Sequence, residues 1–366
     1  MILPGDGIGP EITRATRTAL EALDARFGLG LELVQRDIGL AALEAEGTTL
    51  PADAVESARA ADGVILGPVS TYEYPPPEEG GLNPSAEIRK RLDLYANIRP
   101  SRGRPGVPAL APDMDLVIVR ENTEGFYADR NMFSGPGEFQ PTEDMALAVR
   151  KITRRASRRI AEVAFGLAAR RRNSVTVVHK ANVLKVSDGL FLSEVRKSAQ
   201  RYPDVALVEI LVDAMAAMLV RQPGNYDVVL TTNMYGDILS DEASELAGGL
   251  GLAASVNAGE AHAVAQAVHG SAPDIAGKGI ANPAALMLSA GMLLEWLGAR
   301  RDADGLTAAA KHLEGAVDAV LALPANHTPD LGGSATTGQF ADAAFSYYHF
   351  RDTQKPQLTG SLSYYV

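Results

Sequence analysis

The chain is predicted to be an α/β protein of two domains, with helices around a mostly parallel sheet. Three observations predict it. Short β-branched runs alternate with alanine-rich amphipathic stretches from end to end, the pattern of a parallel sheet covered by helices. A length of 366 residues suits two domains with ample core. The run Tyr226 to Thr231 reads as a buried strand that ends in a polar turn, Thr232-Asn233, and such strand ends are where these folds hold ligands.

In chain order, the first strand is cut short, because only Met1-Ile2-Leu3 precede the turn Pro4-Gly5-Asp6-Gly7-Ile8-Gly9-Pro10-Glu11. Pro10 breaks the G-x-G-x-x-G form that cradles dinucleotide phosphates, so this turn alone carries no cofactor reading. Amphipathic spacing predicts helices over 10–26, 52–61, 84–93, 144–169, 188–200, 213–222, 237–249, 282–298, 305–322 and 336–348. Within 144–169, for example, arginines are interspersed at helical spacing between Ile152, Ile160, Val163 and Phe165. Short apolar runs predict strands near 31–36, 63–67, 115–119, 174–178, 205–211 and 226–231. The proline-rich stretch Tyr74 to Gly81 and the segment Met132 to Pro141 read as loops. Residues 351–366 lack core periodicity and read as a tail or an oligomer contact.

Composition excludes several function classes. A net charge of -11 argues against nucleic acid as a partner. The basic cluster Arg154, Arg155, Arg158, Arg159, Arg170, Arg171 and Arg172 reads as a solvated helix face rather than a polyanion site. With no cysteine there is no disulfide, thiolate metal site or cysteine nucleophile. No apolar run reaches the ~18 residues of a membrane span, and no signal peptide is evident. A cytoplasmic protein without a membrane partner is expected.

The sharpest chemical signal is Asn233-Met234-Tyr235-Gly236-Asp237-Ile238-Leu239-Ser240-Asp241-Glu242, which reads as the start of a helix. Asp237 and Asp241 leave one face about 6 Å apart, too close for two bare anions unless a cation lies between them. Hard oxygen ligands suit Mg2+ or Mn2+. The plainer alternative is an acidic first turn facing the helix dipole, but the position just after a strand-end turn favours the metal. A third acid, Asp213, follows the mostly apolar run Val205 to Val212 in the same way.

Further segments are Arg89 with Arg99 around Leu92-Asp93-Leu94-Tyr95-Ala96-Asn97, then Arg120-Glu121-Asn122-Thr123-Glu124-Gly125-Phe126-Tyr127, then His179-Lys180-Ala181-Asn182. With the Asp237 segment and His269-Gly270-Ser271-Ala272-Pro273-Asp274-Ile275, they closely resemble the metal-dependent β-decarboxylating dehydrogenases, the isocitrate/isopropylmalate dehydrogenase family. The resemblance runs in order from Pro4 to about Phe345. It implies a malate-type substrate, a 2-hydroxy acid with a second carboxylate on C3, gripped by Arg89, Arg99 and Arg120. Guanidinium forks suit carboxylates and stay charged.

The same resemblance implies metal ligation by Asp237 and Asp241, with Asp213 from the other subunit of a homodimer. It implies Lys180, shared across the interface like Asp213, as the base for the C2 hydroxyl, its pKa lowered by neighbouring positive charge, and Tyr127 as the proton donor to C3. It places the nucleotide on His269, Gly270, Ser271, Ala272, Asp274, Ile275 and Asn282, with Asn182 contacting substrate or the nicotinamide amide. Asp274 would bind the ribose hydroxyls and repel a 2'-phosphate, so NAD is expected rather than NADP. Domains of 1–96 plus 250–366 and of 97–249 are implied, with the site between them and an arm near 128–145 that clasps the partner.

Departures matter as well. Ala265-Gln266-Ala267-Val268 replaces a family segment that usually carries glutamate at the second position. The resemblance implies that the C3 substituent is read by the segment Leu82 to Glu87, Asn83 and Ser85 above all, where Ser85-Ala86 replaces the large aliphatic pair of isopropylmalate enzymes. A polar-substituted malate, isocitrate or homoisocitrate, is therefore favoured, with isopropylmalate and tartrate or D-malate as alternatives. The arginine that some homoisocitrate enzymes use falls at Ala86, and Glu87 is read as facing solvent. A non-catalytic regulatory subunit is the rival from another class. A dehydrogenase of a phosphorylated amino acid, which uses histidine ligands, is a further one.

Overall fold

A computed structural model describes residues 1–127, 132 and 135–350. Its strands are β1 (Ile2–Leu3), β2 (Val64–Leu66), β3 (Ala96–Arg102), β4 (Asp115–Glu121), β5 (Glu138–Thr142), β6 (Met145–Ala148), β7 (Ser174–His179), β8 (Ala206–Leu211), β9 (Val228–Thr231), β10 (Val256–Ala258) and β11 (Ala263–Gln266). Its helices are α1 (Gly9–Phe27), α2 (Leu40–Glu46), α3 (Ala52–Ala60), α4 (Pro84–Arg91), α5 (Arg154–Ala168), α6 (Ser187–Ala199), α7 (Val212–Arg221), α8 (Asn233–Leu246), α9 (Ala284–Arg301), α10 (Asp304–Leu321) and α11 (Thr337–Phe350). Among the described residues, no helix is long and apolar enough to cross a membrane.

Nine strands form one sheet in the order β1-β2-β11-β10-β3-β4-β9-β7-β8. One parallel block is β1-β2-β11 and the other β4-β9-β7-β8. They meet through β10 and β3, whose pairings are antiparallel on both sides. The α/β architecture with a mostly parallel sheet is thus as expected. Strand alternation sends neighbouring side chains to opposite faces. Val117 and Val119 pack with α5 residues Ile160, Ala164 and Phe165. Leu116 and Ile118 pack with Met215 and Leu219 of α7 and Leu239 of α8. Phe165 is fully buried, a contribution of roughly 2–3 kcal/mol. The site therefore lies on the α8 face, over a sheet pinned from behind by α5.

Several expectations need correction. The helix over 144–169 begins only at Arg154, since Met145–Ala148 pairs with Glu138–Thr142 as an antiparallel hairpin. That hairpin also replaces part of the loop expected over 132–141. The strand near 31–36 is reduced to one bridge, Ile2 to Gln35, because β1 offers only two residues to pair. The helix expected from 237 starts four residues earlier, at Asn233, so Asp237 lies beyond its first turn. Strands β3, β10 and β11 and helix α2 were not anticipated. Pro100 sits in β3 beyond the three residues that β10 pairs, where a missing N–H is tolerated.

Most of the arginine cluster is exposed as expected (Arg154, Arg155, Arg158, Arg170 and Arg172), and the departures are Arg159 and Arg171. Arg154 and Arg158 pair with the buried Glu194, and Arg171 is buried between Asp115 and Asp227. Residues 128–131, 133 and 134 of the expected arm and residues 351–366 lie outside the described residues.

Candidate active site

Three elements bring arginines to one end of the sheet. Arg99 leaves β3 and Arg120 leaves β4, at 5% and 2% exposure, while Arg89 leaves α4. Opposite them α8 carries the two acids. Arg99 Nη1 lies 3.3 Å from Asp237 Oδ1 and 3.4 Å from Asp241 Oδ1. Arg120 pairs with the same Asp237 oxygen and donates its Nε to Asn233 Oδ1 at 2.8 Å. Gly236 permits this approach, since a Cβ there would fall 2.7 Å from Arg120 Cβ. The Tyr127 hydroxyl donates to Asp237 Oδ2 at 3.2 Å. Within one chain, the cation demanded by the acid spacing is the Arg99 guanidinium.

These contacts separate the two acids. Burial opposes charge on Asp237, but Arg120 and Arg99 outweigh it and hold the carboxyl below its ordinary pKa. Asp241 is raised, chiefly by burial and also by the charge of Asp237, against the pull of Arg99. Burial beside Arg120 brings Arg99 down to about 10, still cationic at neutral pH. The end of the sheet thus combines fixed positive charge with one firm anion, a setting for a substrate carrying carboxylates.

Under the arginines runs a chain of amides that sequence reasoning missed. Asn97 Oδ1 accepts from Arg99 Nε at 2.6 Å. Asn97 and Asn122 both donate to Asn257 Oδ1, at 3.0 and 2.9 Å. Arg89 Nη2 donates to Gln266 Oε1 at 3.1 Å, as does Ser85 Oγ at 3.0 Å. The available signal was asparagine inside strand-forming stretches, where it is disfavoured unless bonded. Asn83 is the N-cap of α4, its side-chain oxygen accepting from Ala86 N at 3.0 Å. Glu87, expected in solvent, pairs with Arg91 at 2.9 Å.

Lys180 and Asp213 stand apart from this group. Lys180 Nζ donates to Asp213 Oδ1 at 2.6 Å, and no described bond joins either to Asp237 or Asp241. Asn182 is exposed. Among the described residues, no three acids, histidines or cysteines are gathered as a metal site. One chain thus assembles two of the three expected acids.

The 269–282 loop is pinned to the first glycine-rich turn. Ile8 N donates to Ser271 O at 2.8 Å, and a Cβ on Gly7 would lie 2.0 Å from that oxygen. Only glycine fits there. Glu11 accepts from Gly279 N and Ala281 N, each at 3.1 Å. Ser271 Oγ accepts from Ser70 Oγ at 2.8 Å. Gly270 and Asp274 are exposed, Asp274 in the short helical turn Pro273–Ile275 that Ala272 opens in the left-handed region at φ 40°. His269 Nε2 is buried without a partner, and burial lowers the pKa of the ring. Asn282 is already engaged, donating to Asp330 Oδ2 at 3.0 Å and accepting from Ala284 N at 3.0 Å.

Comparison with known proteins agrees with this geometry. The family model for isocitrate/isopropylmalate dehydrogenase matches residues 1–344. The isocitrate/homoisocitrate dehydrogenase of Thermus thermophilus is 45% identical over 343 residues, 93% of this chain and 96% of its own. The 3-isopropylmalate dehydrogenase of Methanothermobacter thermautotrophicus is 42% identical over 343 residues, covering 93% and 95%. The crystal structure of isocitrate dehydrogenase from Methylococcus capsulatus matches with a TM-score of 0.83 at 40% identity, over 95% of this chain and 98% of that one. The chain belongs to the isocitrate/isopropylmalate dehydrogenase family.

Proposed function

We propose that this dehydrogenase performs NAD-dependent, metal-requiring oxidative decarboxylation of a 3-substituted (R)-malate, with isocitrate or homoisocitrate preferred to 3-isopropylmalate, tartrate or D-malate. The observation that carries this reading is the convergence of Arg99, Arg120 and Tyr127 on the Asp237–Asp241 pair. Arg89 adds its charge from α4. The three guanidinium groups would bind and orient the two carboxylates of the malate core.

Asp237 and Asp241 would hold Mg2+ or Mn2+ together with the partner subunit's Asp213. Their fit rests on chemistry and position: carboxylate oxygens on one helix face already share a cationic nitrogen, and the Asp241 side chain is 53% exposed. A bound divalent ion supplies Lewis-acid polarisation and charge stabilisation, and NAD supplies the hydride acceptor. The partner subunit's Lys180, which within its own chain lies beside Asp213, would take the C2 hydroxyl proton as the alcohol is oxidised. The carboxylate on C3 then leaves as CO2, its bonding electrons pass into the enol, and the Tyr127 hydroxyl returns a proton to C3.

On the 269–282 loop, the unpartnered His269 Nε2 and the exposed Asp274 favour a bound nucleotide, with Asp274 selecting NAD. The opposed parallel blocks of the sheet support domains of 1–96 plus 250–366 and of 97–249. Homodimer formation is supported near Lys180 and Asp213, where Val183, Val186 and Val220 are exposed at 66%, 88% and 64%. The exposed hairpin carrying Phe139, Met145 and Leu147 supports the expected arm.

The test is a panel of C3-substituted (R)-malates with NAD or NADP and Mn2+, followed by absorbance of the reduced nicotinamide. Turnover of a carboxylated malate with NAD is expected. Refusal of every malate by a folded protein that still binds NAD would refute the reading.

A further inference from the structure

We propose that Arg150 is a positioning residue for both proton-transfer groups of the reaction, steadying Tyr127 for the site of its own chain and Lys180 for the site of the partner subunit. This rests on the proposed reading of Tyr127 as proton donor and Lys180 as base in sites shared across a homodimer, and goes beyond it by naming the side chain on which both depend.

Arg150 follows β6, and the next residue, Lys151, exchanges backbone hydrogen bonds with Gly125 at 2.8 and 2.9 Å. That bridge sets Arg150 beside the loop that carries Phe126 and Tyr127. The side chain runs inward, to 8% exposure. Its guanidinium lies over two rings, with Cζ 5.7 Å from the centroid of Phe126 and 5.5 Å from that of Tyr235. Such cation–π contacts hold a ring and a cation together. Nη2 donates to Thr232 Oγ1 at 3.2 Å, at the N-cap of α8. Phe126 directly precedes Tyr127, and α8 carries Asp237, which accepts from the Tyr127 hydroxyl.

The same guanidinium also reaches the segment after β7. Nη1 donates to Ser187 Oγ at 2.8 Å and pairs with Asp188 Oδ1 at 2.6 Å, both in the first turn of α6. Asp188 is fully buried, and its other oxygen accepts from Lys180 N at 2.6 Å. Leu184 N closes the turn onto Lys180 O at 2.8 Å. The backbone of Lys180 is therefore anchored by a carboxylate whose charge Arg150 balances. Without that cation, a buried carboxylate is driven to take up a proton or move toward water. Either change loosens the anchor.

An arginine suits this place because its flat fork spreads donors in two directions while its plane covers the rings. Lysine gathers its donors on one nitrogen and has no plane to lay over them. No described contact joins Arg150 to Arg89, Arg99 or Arg120, the groups that would hold the carboxylates of the substrate. Loss of Arg150 should therefore disturb proton transfer and spare binding.

The experiment uses mixed dimers purified through two different tags, one chain carrying Asp237→Ala and the other Lys180→Ala, so that a single complete site remains. Rapid mixing with NAD, Mn2+ and the malate that the wild type oxidises best separates the first burst of reduced nicotinamide from steady turnover. Arg150→Met in the Asp237→Ala chain disturbs the Lys180 of that site, and the burst rate should fall roughly ten- to a hundredfold. In the Lys180→Ala chain it disturbs Tyr127. The burst should then keep its rate while steady turnover falls by a similar factor, because C3 is protonated after the hydride has left. The malate concentration that half-saturates the burst should change by less than about twofold in both. Where Arg150→Met does not fold, Arg150→Lys should shift the same rates in the same directions by less. A smaller burst with both rates unchanged, the mark of fewer intact dimers, or a shift in only one placement, overturns this inference alone. An inactive mixed dimer that retains Arg150 overturns the shared-site reading together with it, and a wild type that refuses every malate overturns the proposed function as well.

Discussion

Replacing Glu124 by glutamine should change how the stability of the fold depends on pH. Glu124 lies on the loop between Arg120 and Tyr127 at 3% exposure. Its carboxylate accepts from Thr153 N at 2.7 Å and from Thr153 Oγ1 at 2.9 Å, tying that loop to the start of α5. Burial, then the neighbouring charge of Glu121, raises its pKa from 4.5 to about 7, against the pull of the Thr153 donors and Lys151.

The folded state therefore holds this proton more tightly than the unfolded chain. The resulting stabilisation is complete below pH 4.5 and is lost as pH rises through about 7. At about 1.4 kcal/mol per pKa unit the full effect is roughly 3 kcal/mol, of which about 2 kcal/mol falls between pH 5.5 and 8. Glutamine retains an acceptor for Thr153 and cannot titrate. Urea unfolding of both proteins at one protein concentration, across pH 5.5 to 8, should show the wild type losing about 2 kcal/mol relative to Glu124→Gln. Parallel pH profiles would refute the burial argument.

Other substitutions read other parts of the account. Asp274→Lys should move cofactor preference toward NADP, read as the ratio of kcat/KM for the two cofactors; no shift would remove the cofactor argument. Glu11→Gln should raise KM for NAD severalfold with little effect on KM for the malate, because Glu11 holds Gly279 and Ala281 in place; equal effects on both would point to general destabilisation. Lys180→Ala and Asp237→Ala should each be inactive as homodimers. Unfolding and refolding them together should restore about a quarter of wild-type activity if each site draws on both subunits of a symmetric dimer, and no recovery would argue against sharing.

Some of this architecture was legible because its signals are local. β4, β7 and β9 are runs of Val, Ile and Leu, and the buried strand before Asn233 is where it was expected. The hairpin strand Met145–Ala148 reads as helix in the sequence because an alternating Ala and Leu pattern four residues long fits both periods, and its exposed side chains give no core face to decide between them. β3 escapes notice because Asn97, Arg99 and Arg102 are unlike a core strand. Asn97 and Arg99 are tolerated there because they bond each other under the site.

Of the charged half of the site, Asp237 and Asp241 could be named from residue type and position and Arg99 and Arg120 from the resemblance, and the structure brings these four together. The amide half was invisible. The pairing of Ser85 with Gln266, or of Asn122 with Asn257, joins residues far apart in sequence, and no period announces it. Lys180 and the partner role of Asp213 came only from the resemblance, since the strand end that carries Lys180 looks like ordinary surface and position alone marked Asp213 only as an acid after an apolar run.

The account stands most directly on the stoichiometry and metal dependence of the reaction. CO2 release and reduced nicotinamide should be measured together for homoisocitrate and isocitrate, with Mn2+, with excess chelator, and in Asp237→Asn. Equimolar products that vanish on chelation and in the variant are the predicted result. Reduction of the cofactor without CO2, or turnover that persists after the divalent ion is removed, would contradict it.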